Sequence, residues 1–221
     1  MDPIHIYHEN SKVLVCEKLA GLVSEEGGLP DVLCEQLEIG KLYPIHRLDK
    51  AVSGGIVYAK TKEAAADLSD QIQNGLFHKT YIAAAEGRPP DSEGTWEDIM
   101  FYDRRQGKSY VVNKERHGTK KASMGYKVLN TFLTDDGMPC SFLQLEMHTG
   151  RTHQIRAQLA SRQMPVFGDR RYGSKTKSSS LGLRSYRISF IDPEDKKPIE
   201  LEFPVPDRYP WNHLKQKKQD Q

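Results

Sequence analysis

In the segment HRLDKAVSGG, residues 46–55, an arginine and an aspartate stand two positions apart, Arg47 and Asp49. In extended backbone, residues i and i+2 share a side, so Arg47 and Asp49 point one way while His46 and Leu48 point the other. An ionised carboxylate there can act on a substrate as nucleophile or base. It can equally be the polar start of a turn before a strand. Gly54 and Gly55 let other backbone pack closely behind it. A second stretch, HKTYIAAAEG (78–87), places Lys79 and Tyr81 on one strand face, where an aromatic ring either stacks on a planar ligand or fills core. A third, HTGRTHQIRAQLA (148–160), carries Arg156 between apolar residues. A guanidinium in such a setting calls for an acid, since a bidentate pair keeps both ions charged. Several acids of the chain qualify.

Other familiar chemistries are missing from the sequence. It contains no G-x-G-x-x-G after a strand, no Walker loop, no H-E-x-x-H helix and no G-x-S-x-G elbow. His148 and His153 are five apart with Gly150 between them, which suits neither helical nor strand spacing for a metal pair. The expectation is no metal and no cofactor. Cys16, Cys34 and Cys140 are odd in number and form no C-x-x-C, so neither a disulfide framework nor a zinc site is expected. A reducing, cytoplasmic location follows. No apolar run approaches the ~20 residues of a bilayer span, and the opening MDPIHIYHEN is too polar and acidic for a leader.

The formal net charge of +2 conceals an uneven distribution. Residues 1–40 hold eight acidic and two basic residues, a net of −6. Residues 148–187 hold nine Lys or Arg and a single acid, Asp169, a net of +8, and residues 102–121 hold seven basic and two acidic, a net of +5. Either these are solvated surfaces, or one face of the protein meets a polyanion.

The elements that must position these groups are those of an α+β protein. A chain of 221 residues suits one domain, expected over 1–210, with a frayed polar tail at 211–221. A monomer is the default. Strands are expected at 4–7, 12–16, 55–60, 79–87, 121–133, 140–148, 186–193 and 198–206. EEGGLPD (25–31) reads as a loop, broken by Gly27, Gly28 and Pro30. Thr61 caps a predicted helix to Gln73, with Ala65, Leu68 and Ile72 as its apolar face and Asn74-Gly75 as its stop. A second helix is predicted from a Thr152 cap to Ser161, with Ile155 and Leu159 toward the core. Strands outnumber helices without regular alternation, which favours a largely antiparallel or mixed sheet.

Taken in order, HRLDKAVSGG, KTYIAAAEG, HTGRTHQIR and VFGDRRYG resemble the motifs of the RluA family of RNA pseudouridine synthases, from about residue 5 to 206. The resemblance implies a pseudouridine-synthase core: a long mixed, mostly antiparallel sheet with flanking helices and a central RNA-binding cleft. It implies cofactor-free isomerisation of uridine in structured ribosomal or transfer RNA. Asp49 is then the catalytic aspartate, Tyr81 the active-site tyrosine and Arg156 the basic partner of the aspartate. Arg47 fills the gap left by a flipped nucleotide, with His46, Lys79, Arg151, His153 and Gln154 beside RNA. The catalytic domain is expected without a preceding S4 module. The chain departs from the family pattern at Leu19, at Ala51 and Val52, and in the triplet LRS at 183–185. The departures bear on substrate contacts.

The reaction must cut N1–C1′, turn the uracil, join C5 to C1′ and release the C5 proton. Cleavage builds oxocarbenium-like charge on the ribose, as in glycosidases. Attack on C1′ and removal of the 2′ proton are both open to the carboxylate. The target base is unreachable while stacked, so the nucleotide must be extruded. Two other readings compete: a catalytically silent RNA-binding relative, and an enzyme of other glycosidic chemistry, which lacks a second carboxylate to serve as acid.

Overall fold

A computed structural model of the chain describes residues 3–178 and 180–215. Eleven strands and four helices lie among the described residues, an α+β fold, divided into two compact units. No helix among them is long and apolar enough to cross a membrane.

The first unit comprises Met1–Thr80 and Arg184–Pro204. Strands β1 (Ile6–Glu9), β2 (Val13–Lys18) and β4 (Ser53–Ala59) pair antiparallel in that order. On its other edge β4 meets two partners. Its start runs parallel to β10 (Leu183–Ile191), and its end runs antiparallel to the two-residue β3 (Tyr43–Pro44). Strand β11 (Pro198–Glu202) closes a hairpin on β10. The sheet is therefore mixed. Val13, Val15, Val57, Ala59, Ile188 and Phe190 alternate onto one face and pack against Leu68, Phe77 and Phe203. Each fully buried apolar side chain stabilises by about 1.5–3 kcal/mol.

Helix α2 (Lys62–Gln73) begins where the sequence placed it: Thr61 accepts a bond from the Ala64 N–H at 3.2 Å, and Asn74 ends it. Such a cap contributes about 1 kcal/mol. Its buried face is Ala64, Leu68 and Gln71, one residue off the expected stripe, leaving Ala65 and Ile72 half-buried. Gln71 is buried because its amide both donates to and accepts from the Ile191 backbone. The expected loop at 25–31 is corrected: helix α1 (Leu29–Leu37) starts inside it, with Pro30 in the first turn. Proline is tolerated there because a first-turn N–H has no helical acceptor to lose.

The second unit comprises Tyr81–Leu183 and Val205–Gln221. Its strands run in the order β5 (His78–Glu86, from Tyr81 onward), β9 (Pro139–Met147), β8 (Thr119–Leu133), β6 (Glu93–Asp103), β7 (Lys108–Val112). The pairs from β9 through β7 are antiparallel. The β6–β7 hairpin was absent from the sequence reading. Only Met100 and Ser109 of it are fully buried, so no alternation announced it. Helix α3 (Gln154–Ser161) packs over β7 and β6. It starts one residue later than expected, because His153 rather than Thr152 is its cap, held left-handed at φ 52°. A short 3-10 turn follows at Arg170–Tyr172, and α4 (Asn212–Lys215) lies within the stretch expected to fray. Residues 216–221 of that stretch fall outside the described residues.

Candidate active site

Asp49 is the first residue of a tight turn: its carbonyl accepts the Val52 N–H at 2.9 Å. Backbone on both sides of it is clamped. Before it, the Ser24 hydroxyl donates to the Leu48 carbonyl (2.9 Å) and accepts the Leu48 N–H (3.1 Å), while the buried Tyr58 hydroxyl bonds the Ser24 carbonyl. After it, the solvent-inaccessible Lys18 donates its ammonium to the carbonyls of Leu19 (3.2 Å), Lys50 (3.3 Å) and Val52 (2.6 Å). Burial pushes the Lys18 pKa down to about 8, against the pull of the Asp49 and Glu17 charges. Nothing in the HRLD segment pointed to Lys18, which lies 31 residues upstream.

Gly54 and Gly55 explain the small residues after the turn. A Cβ on Gly54, whose φ is +119°, would stand 2.2 Å from the Ser185 carbonyl oxygen, and one on Gly55 would stand 1.8 Å from the Phe203 ring. The close backbone approach expected of them is present.

In the motif Leu48 is buried, His46 and Asp49 are half-buried and Arg47 is exposed. His46 accepts the Val57 N–H on Nε2 at 3.1 Å and lies against Phe77. Burial, with the Lys79 charge adding to it, pushes its pKa down to about 3, so it is a neutral clamp on β4. Arg47 meets Glu25 at 2.9 Å on the surface. Lys79 is half-buried over Phe77, its pKa lowered by burial. Of the departures from the family pattern, Leu19 and Ala51 are exposed and Val52 is buried. Arg184 is accommodated by a bidentate pair with Glu17 (2.7 and 2.8 Å), which also accepts the Tyr7 hydroxyl.

In the second unit Tyr81 is buried near the start of β5. Arg156, 7% exposed on α3, makes a bidentate pair with the buried Asp169: Nε donates to Oδ2 at 2.6 Å and Nη2 to Oδ1 at 2.9 Å. Its guanidinium also lies 4.9 Å from the Tyr172 ring centroid, within cation–π range. Asp169 is thus an acid that satisfies the helix-borne arginine. The sequence signal was its isolation, a single carboxylate among nine cations. The Tyr172 hydroxyl accepts the Ser109 N–H (2.8 Å) and pairs with His153 Nδ1 (3.0 Å).

Gln154, expected beside RNA, is turned inward and 2% exposed. Its amide joins Thr149, the Arg151 N–H and the Ser123 carbonyl, which fixes the loop before α3. Arg151 and Thr152 remain exposed. No group of three or more His, Cys, Asp or Glu able to hold a metal occurs among the described residues.

Residues 12–161 match the family model described as RNA pseudouridylate synthase. An RNA pseudouridine synthase of Bacillus subtilis is 30% identical over 214 residues, covering 92% of this chain and 69% of that protein. Ribosomal large subunit pseudouridine synthase D of Neisseria meningitidis is 34% identical over 227 residues, covering 92% of this chain and 59% of its own length. The chain thus spans little more than half of the Neisseria relative. In fold it resembles the solved human RNA pseudouridylate synthase domain containing 1, with a TM-score of 0.78 at 23% identity over 94% of this chain and 85% of that one. With a family match across more than half its length, the chain belongs to the RNA pseudouridylate synthases.

Proposed function

We propose that this chain isomerises uridine to pseudouridine in structured ribosomal or transfer RNA, as a cytoplasmic monomer, with Asp49, Tyr81 and Arg156 as its catalytic residues. The observation that carries the reading is that the family match over 12–161 spans all three. The name of the Neisseria relative makes the ribosomal large subunit the first place to look for the substrate.

In this reading the Asp49 carboxylate meets the positive charge that develops on the ribose as N1–C1′ breaks. The double clamp on its backbone supports the role, since a group that must face one developing charge gains from a fixed position. Tyr81 stacks on the detached uracil while it turns, C5 bonds to C1′, and the C5 proton leaves to solvent. Arg156, kept charged and oriented by Asp169, supplies fixed positive charge to the anionic side of the reaction. Arg47 occupies the space vacated when the nucleotide swings out, its flat guanidinium stacking where the base was. The surface pair with Glu25 holds it only weakly in the free protein. The basic stretches 102–121 and 148–187 take the RNA backbone.

The test is tritium release from bulk RNA labelled as [5-³H]uridine. Wild type is expected to release label, and Asp49→Ala to bind the same RNA without releasing any. Label release by Asp49→Ala at the wild-type rate removes the carboxylate from the mechanism. RNA binding by wild type with no release from any RNA fraction would favour the silent relative.

A further inference from the structure

Beside the segment that carries His153 and Arg156, the second unit holds a pocket of about 670 Å³ whose lining includes Phe101, Arg104, Lys120 and Arg151 and contains no carboxylate. A neighbouring depression of about 470 Å³ shares Lys120 and adds Arg116, Lys121 and Glu115, whose carboxylate lies 3.8 Å from the Lys121 ammonium. Among the described residues, Arg104, Lys120 and Arg151 form no ion pair, so their charge is uncompensated.

We propose that this pocket is an RNA subsite: it takes one nucleotide of the strand flanking the modified uridine, with the phosphate at Arg104, Lys120 and Arg151 and the base against Phe101. The assignment rests on the reading that the chain acts on RNA. Three observations favour a nucleotide of a polymer. First, Phe101 is a half-buried flat ring carrying the Arg116 guanidinium at 4.7 Å, the kind of platform on which unpaired bases stack. Gly118 borders the same ring without a side chain: a Cβ there would stand 3.6 Å from it. Second, the positive charge continues through Arg116 into the neighbouring depression, where Glu115 offsets Lys121 alone, further than a single phosphate needs.

Third, the pocket is pre-built and continuous with the candidate catalytic segment. Ser109 Oγ donates to the Thr152 carbonyl at 2.5 Å, and Arg151 Nε donates to the Lys121 carbonyl at 2.9 Å. The Ser109 N–H bonds the Tyr172 hydroxyl, and the Tyr172 ring carries Arg156. A strand seated in the pocket therefore rests on the same scaffold that orients Arg156.

The experiment compares wild type, Arg104→Gln/Lys120→Gln and, as a control outside the pocket, Lys127→Gln, whose lysine lies 3.7 Å from Glu93. Half-saturating [5-³H]uridine-labelled bulk RNA and turnover at saturation are measured across a salt series. Filter binding of the same RNA is run in parallel in the Asp49→Ala background. Arg104, Lys120 and Lys127 are exposed, and thermal unfolding checks that each variant folds. The double variant is expected to raise the half-saturating concentration and the dissociation constant roughly tenfold at about 0.15 M salt. It should flatten the log–log salt slope by about 1.5, with turnover at saturation within about twofold. Lys127→Gln should change each by less than about twofold. RNA carrying 4-thiouridine should crosslink to the peptide containing Phe101. Unchanged binding in the double variant, or an equal loss in Lys127→Gln, overturns the subsite while wild-type tritium release leaves the function standing. If wild type releases no label, the function falls and the binding series still decides the subsite.

Discussion

Lys18 in the first unit and Arg156 in the second are both cations withdrawn from solvent, 0% and 7% exposed. Their surroundings differ. The Lys18 ammonium is met by three neutral carbonyls, two of them from the turn that follows Asp49. The Arg156 guanidinium is met by the buried Asp169 carboxylate through two parallel bonds and by the face of Tyr172. Carbonyl dipoles compensate a buried charge only partly, so the Lys18 proton is loosened to a pKa near 8, whereas a guanidinium beside a carboxylate never gives its proton up. The first arrangement locks backbone and the second conserves charge. In the proposed mechanism each suits the group it serves: a carboxylate that is to be held still, and a cation that is to stay ionised.

The sharpest break between the two regions is Asp49→Asn. It removes a half-buried carboxylate while leaving both backbone clamps intact, so tritium release should disappear while the chain still folds, as thermal unfolding checks. A comparably large loss of stability would mean that the side chain itself holds the turn.

Next in size is Asp169→Asn. Breaking one side of a buried ion pair costs about 3–5 kcal/mol, so denaturant unfolding should shift by that amount. Turnover should fall together with stability, because Arg156 loses its orientation, while RNA affinity changes little. If affinity falls and turnover at saturation does not, the Arg156–Asp169 pair belongs to binding.

Lys18→Met should destabilise by about 3 kcal/mol near pH 7, since it orphans three carbonyls. The pH dependence carries the comparison further. The Lys18 pKa in the fold is below its ordinary value of 10.5, so above about pH 8 the folded chain holds less of that proton than the unfolded one. Wild-type stability relative to Lys18→Met should therefore rise between about pH 8 and 10.5 and stay flat below. Substitution of Arg156 should show no such window.

An effect confined to acid is expected at His46. Its pKa of about 3 in the fold, against 6.5 for the free group, means that stability present above pH 6.5 is lost as pH falls toward 3. His46→Gln keeps an acceptor for the Val57 N–H and should flatten that acid limb, as read by melting temperature at pH 4 and pH 7. An unchanged limb would place the acid sensitivity elsewhere.

Local patterns carried much of this molecule. Helix α2 was legible because Thr61, the 3.6-residue apolar spacing and Asn74-Gly75 all act within a few residues of one another. The strands around Val57 and Leu143 were legible because their apolar runs are buried. Helix α1 was hidden because Gly27, Gly28 and Pro30 punctuate the sequence, although a proline in the first turn breaks nothing. The β6–β7 hairpin was hidden because its strands are largely solvent-facing and lack alternation.

By itself, the sequence determined which side chains were worth watching: Asp49, Tyr81 and Arg156 sit in motifs whose order and spacing are local properties of the chain. It also showed that Arg156 would need an acid. Only the tertiary structure decided that Asp169 meets it thirteen residues later, that Lys18 braces the Asp49 turn from 31 residues upstream, and that Gln154 faces inward rather than toward RNA. Periodicity and capping follow from backbone geometry over one or two turns. The partner of a buried charge is chosen by whichever group the fold brings within about 3 Å.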